Sequence, residues 1–135
     1  MDCIFCKLAN GEIPTNTVFE NEDFRVILDA APANPGHCLI LPKAHGADIF
    51  ELDEELVAKA HGLAKKIALA VKKAMKADGI NIIQNNGAAA GQTVGHYHVH
   101  IVPRHKGDGV TINAEGKAQS QEDFEKVKNA IIAEL

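Results

Sequence analysis

The chain has no tryptophan, one tyrosine and only 4% aromatic residues, and its 14 Lys and Arg are outnumbered by 18 Asp and Glu. A net charge of -4 gives no field that would gather a nucleic-acid polymer, and no Lys/Arg-rich tract interleaved with aromatics is visible. A small nucleotide is not excluded, because backbone amides and a few side chains hold one phosphate without a basic surface. No apolar run reaches membrane length and no charged-then-apolar leader opens the sequence, although 46% of the residues are hydrophobic. A cytoplasmic protein with no membrane association is expected. Cysteine is scarce, with three in 135 residues, which is no disulfide framework in a reducing compartment. There is no internal repeat, and the length suits one domain with a real core.

What the chain does have is the stretch Gly91-Gln92-Thr93-Val94-Gly95-His96-Tyr97-His98-Val99-His100-Ile101-Val102-Pro103, in which histidine recurs at every second residue. In a strand this spacing puts His96, His98 and His100 on one face and Tyr97, Val99 and Ile101 on the other. Imidazoles are costly core filler, since each ring has two nitrogens that need a partner or a metal when buried. The residues therefore point to a metal cage or to covalent catalysis.

The remaining elements follow from periodicity and turn chemistry. Residues 3–11 read as a short helical turn stopped by Asn10-Gly11, with Ile13-Pro14 extended after it. Thr17–Glu20 and Phe24–Leu28 are β-rich runs joined by hairpin composition. Residues 29–37 form a turn-rich connection to a third strand, 38–41, ended by Pro42. Residues 49–77 carry an amphipathic repeat with acids at the start and lysines at the end, which suits one long helix stopped by Asp78-Gly79. Its lysines, like His61, read as a solvated face. Residues 80–85 and the histidine run make two further strands, joined as a hairpin by a Gly-rich connection, and 120–135 a C-terminal amphipathic helix. Cys38 reads as buried filler and His105 as surface. The expected fold class is α+β, an antiparallel sheet of about five strands with one long helix and a C-terminal helix.

Cys3-x-x-Cys6 admits three readings. A redox pair would follow a strand, and none precedes it; a disulfide disagrees with the compartment; half of a zinc site fits best. Two further ligands must then come from elsewhere, with His45 and one of the alternating histidines the candidates, and spacing alone does not pair them.

Gly-Gln-Thr-Val before His-x-His-x-His resembles the signature of the histidine triad (HIT) family of nucleotide hydrolases and transferases. The resemblance extends to residues 35–45, to Asp29 with its Ala-Pro run, and to the opening Cys3-Ile4-Phe5-Cys6-Lys7, so it covers the chain to about Arg104. It implies a single HIT domain over 1–135, with the core at about 1–105 and a helical tail at 106–135. It also implies a homodimer joined across the long helix and fourth strand, and a structural zinc held by Cys3, Cys6, His45 and His96.

The family's middle histidine is its nucleophile, which falls on His98; a backbone carbonyl accepting from the other ring nitrogen would fix the tautomer. His100, Gln92 and His37 would assist. Asn85, Gly91, Gln92 and Thr93 would meet the phosphate or leaving group and Asp29 the ribose, while Ile4, Phe5, Leu8 and Ile27 would make an apolar slot for a purine base. A neutral imidazole suits nucleophilic attack on an α-phosphorus because its ordinary pKa of about 6.5 leaves a lone pair available near pH 7. The substrate would be a purine nucleoside monophosphate carrying an amine, an acyl group or more phosphates; Pro103-Arg104 resembles the dinucleoside polyphosphate hydrolases. Two other classes compete: a metal-dependent hydrolase ligated by His96, His98 and His100, and a non-catalytic nucleotide-binding module stiffened by zinc.

Overall fold

The computed structural model describes residues 3–112 and 115–135. Five antiparallel strands, β1 (Thr17–Glu20), β2 (Phe24–Leu28), β3 (Cys38–Pro42), β4 (Gly79–Ile83) and β5 (Val99–Arg104), form a sheet in the order β1-β2-β3-β5-β4. Helix α1 (Ile4–Ala9) covers part of one face, α2 (Glu54–Met75) covers the other, and α3 (Gln121–Ala133) follows the sheet. The α+β class and the strand pairings expected from the sequence are as found.

Period-two alternation divides the apolar residues between the faces. Phe24, Val26, Ile40, Val99 and Ile101 pack with Ala60, Leu63, Ala64, Ile67 and Val71 of α2. Ile27, Leu39 and Leu41 turn the other way and meet Ala9, Phe5 and Leu8 of α1. Ile40 and Ile101 are wholly buried, and each such burial stabilises by about 1.5–3 kcal/mol.

Two boundaries differ from expectation. The long helix starts at Glu54 and not near 49, because Asp48 accepts hydrogen bonds from the Phe50 and Glu51 amides and turns the chain before Asp53 caps α2 through the Glu55 amide. It ends at Lys76 in a left-handed conformation (φ 51°), so Gly79 is free to open β4. The histidine strand is also shorter than expected: β5 starts at Val99, and His96 and His98 precede it. The register Ile40↔Val99 would bring Pro42 opposite Tyr97. Pro42 has no N–H to offer, and the Tyr97 amide donates to Gly46 O at 2.8 Å instead. The alternation survives the end of the ladder, since Tyr97 still packs with the α2-side core.

At its far end β5 is locked by Arg104. Its Nε and one terminal nitrogen grip Asp108 at 2.9 and 3.1 Å; that terminal nitrogen also donates to Val110 O, and the other one reaches Asn81 Oδ1. Asp108 also accepts from the His105 and Val110 amides and from Asn34 Nδ2, and its carboxyl is held well below the usual range, first by Arg104. Asp108→Ala leaves those donors without their partner and is expected to lower the thermal midpoint by several degrees. An unchanged melting curve would contradict this account of the lock.

Candidate active site and metal cluster

The backbone assigns each ring nitrogen of the histidine group. Carbonyl oxygens only accept and amide N–H groups only donate, so each contact fixes a tautomer. His96 Nε2–H donates to Pro42 O at 2.9 Å, which turns the Nδ1 lone pair the other way. His98 Nδ1–H donates to His96 O at 2.8 Å, so that the lone pair of the neutral ring sits on Nε2; this is the tautomer-fixing carbonyl expected from the sequence. The Ala33 amide donates to His37 Nδ1 at 3.0 Å, so His37 carries its proton on Nε2 and donates it in a hydrogen bond to His100 Nδ1, 3.0 Å away. His100 is thereby left with an Nε2–H donor. Burial lowers the pKa of His37 against the opposing pull of Asp29, whose carboxylate is 3.5 Å off. Burial first, then His98 and His37, brings His100 down to about 4. Both rings are neutral near pH 7.

His98 and His100 open into a cavity of about 390 Å³. Of the expected binding residues, Phe5, Leu8, Ile27, Asp29 and Thr93 line it as well. Phe5 stands edge-on to the His98 ring, with centroids 4.9 Å apart. Ile4 is 48% exposed and is not among the lining residues, nor are His37, Asn85, Gly91 and Gln92. His37 lies behind His100, in contact with its Nδ1. The Gln92 amide is committed to backbone, accepting from the Gly87 N–H at 2.7 Å and donating to Ala47 O and Val94 O at 2.6 and 2.9 Å. It ties the loop after β4 to the segment before α2. Asn85 lies beside Gly91, which has φ 95°. The sequence reading missed a wall of the cavity, Pro14, Thr15 and Asn16, together with Leu28, Ala30 and Leu39. Leu39 was available from strand alternation; the Asn16 carbonyl accepting from the Leu28 amide at 2.9 Å is a long-range pairing that no local pattern announces.

On the other side of His96, the donor atoms of Cys3, Cys6, His45 and His96 gather within 4.8 Å of one another. The His96 Nδ1 atom is 3.4 Å from each sulfur and 3.2 Å from His45 Nδ1, and Cys6 Sγ is 3.3 Å from His45 Nδ1. A tetrahedron of zinc bonds of about 2.0–2.3 Å has edges of about 3.3–3.8 Å, so these four residues fit that ion. The Pro42 carbonyl on the far nitrogen of His96 is the partner a metal-bound imidazole needs. Asp29, His37 and His100 also converge within 4.8 Å. That group differs, because the Ala33 amide leaves His37 Nε2 protonated and it donates toward His100. It has the pattern of a hydrogen-bond chain. Among the described residues, His96, His98 and His100 do not gather into one donor group.

A match to the HIT domain spans residues 10–107, and the chain belongs to that family. It is 39% identical over 126 residues to the adenosine 5'-monophosphoramidase HNT1 of Saccharomyces cerevisiae, covering 93% of this chain and 75% of the yeast protein. The crystal structure of a HIT-family protein from Bacillus subtilis superposes with a TM-score of 0.92 at 37% identity, covering 100% of this chain and 98% of that one. A zinc-bound histidine triad protein from Mycobacterium smegmatis gives 0.78 at 36% identity, covering 98% and 95%.

In the metal-free chain the Cys6 thiol is pushed up to about 11, by burial first and then by Cys3. A metal bound there must displace that proton, so zinc affinity is expected to rise with pH and to fall as the medium is acidified. Chelator-competition titrations between pH 6 and 8 check this, with Cys6→Ser expected to lose the site. A pH-independent affinity, or retention in Cys6→Ser, would refute the assignment.

Proposed function

We propose that this chain is a nucleotide hydrolase or transferase that cleaves the α-phosphate linkage of purine nucleoside phosphoramidates or dinucleoside polyphosphates, AMP and GMP derivatives, through a nucleotidyl-His98 intermediate. One observation carries the reading: His98 lines the cavity while its Nδ1–H is held by His96 O, which leaves Nε2 for substrate. His98 Nε2 attacks the α-phosphorus, the bond to the leaving group breaks with its electron pair, and water then attacks the phosphohistidine, releasing the nucleoside monophosphate and restoring His98. His100 Nε2–H donates to a non-bridging phosphate oxygen as charge develops, kept in that tautomer by His37. Asp29 accepts the ribose hydroxyls, and Phe5, Leu8 and Ile27 flank the base, with Ile4 at the rim. Asn85, Gly91, Gln92 and Thr93 shape the phosphate and leaving-group side, with Gln92 acting by holding its loop. The phosphoramidase activity of the yeast relative supports this chemistry for the family's site.

Zinc at Cys3, Cys6, His45 and His96 has a structural part, as those four donors close a tetrahedron and leave no open position for substrate. We place this single HIT domain in the reducing cytoplasm, where both thiols stay available. We also propose a homodimer, because β4 ends the sheet as an unpaired edge and Ile82 on it and Leu69 on α2 are 43% and 54% exposed.

Turnover of adenosine 5'-phosphoramidate and diadenosine tetraphosphate is expected to drop at least about a thousandfold in His98→Asn at unchanged zinc content. Activity that survives the change would point to a metal-catalysed route or to a contaminant, and wild type inert on both substrates to a binding module. In sedimentation, Ile82→Glu should convert a dimer to a monomer; a wild type that is monomeric at tens of micromolar would sink the dimer proposal.

A further inference from the structure

Helix α1 belongs to both sites at once. Cys3 and Cys6 point their sulfurs at the donor cluster, while Phe5 and Leu8 form the cavity wall. The helix has six residues, too few to hold itself in water. Its C-terminal end is tied to the sheet: Arg25 Nε donates to Ala9 O at 3.0 Å, and Asn10 Nδ2 bridges Cys6 O and Lys43 O. Its N-terminal turn, which carries Phe5, is joined at the donor cluster to the loop before β5 through His96 and to the loop after β3 through His45. The same His96 offers the carbonyl that fixes His98. The large core beneath α2 contains no α1 residue, so the sheet does not depend on α1 for its main packing.

We propose that occupancy of the Cys3/Cys6/His45/His96 cluster and occupancy of the nucleotide cavity are coupled through α1. A metal ion at the cluster sets the Phe5 and Leu8 wall against the base, so the loaded chain binds a nucleoside monophosphate more tightly than the stripped one. Linkage then requires the nucleotide to raise metal affinity by the same factor, about 5- to 150-fold for a coupling of ordinary size. The inference rests on the nucleotide reading of the cavity and adds that the metal tunes binding at a site it does not touch.

The experiment is calorimetric titration of AMP into zinc-loaded and chelator-stripped protein, with zinc affinity measured by chelator competition with and without saturating AMP. Equal factors in the two directions, inside that range, are expected. In Phe5→Ala, which keeps all four metal donors, AMP affinity should fall and its dependence on zinc should shrink toward onefold. AMP affinity indifferent to zinc overturns the coupling alone. AMP binding in neither form overturns the nucleotide reading as well. Far-UV circular dichroism of the stripped chain guards against a trivial cause: a sheet that melts without zinc would make the effect global and overturn the role given to α1.

Discussion

Everything at this site depends on the backbone choosing which nitrogen of each imidazole keeps its proton. Three main-chain groups do so: Pro42 O for His96, His96 O for His98, and the Ala33 amide for His37 and through it His100. Reversing any one would point a proton where a lone pair is needed, or the reverse. Pro42 contributes twice, since its missing N–H ends the ladder at Val99 and its carbonyl then orients His96 toward the sulfurs. The break in the strand and the split in histidine roles have one cause.

That split lets two kinds of chemistry share a short run. Alternation carries His96, His98 and His100 away from the α2 core, but past the end of the ladder the chain is free to aim His96 at α1 and the cysteines. His98 and His100 face the cavity. Charge separates the two groups further. The cluster offers thiols and lone pairs to a cation, whereas on the cavity side burial keeps the His100 ring neutral and its partner His37 holds it as an N–H donor.

Elements with a strong local period were legible in the sequence. The β1 and β2 boundaries follow from the β-rich runs, and β3 from 38–41 with its proline. The amphipathic body of α2 is clear, although Asp48 and Asp53 compete as caps and only geometry decides between them. The donor set of Cys3, Cys6, His45 and His96 was reachable only through family resemblance, because its members lie up to 93 residues apart. Tautomers were not legible at all, apart from the general need for a carbonyl behind His98. They depend on Ala33 and Pro42, residues whose side chains advertise no chemistry. The wall of Pro14, Thr15 and Asn16 escaped notice for the same reason, being placed by the Asn16 carbonyl against β2.

Arg104 is a motif residue whose contacts all lie within the fold. Pro103-Arg104 resembles the dinucleoside polyphosphate hydrolases, and a cation beside the histidines invites a role on the extra phosphates. Yet all three guanidinium nitrogens donate to Asp108, Asn81 or Val110, and Arg104 is absent from the cavity lining. Releasing it to substrate would leave the half-buried Asp108 carboxylate without its guanidinium partner, with only the neutral Asn34, His105 and Val110 donors remaining. Its part in the fold is therefore one of register. By locking β5 to β4 and to the turn beyond, it holds His100 opposite Leu39 on one neighbour and Ile83 on the other. The opposite end of β5 has a counterpart to this lock, since Gln92 and Asn86 hold the loops after β4 and before α2 together there.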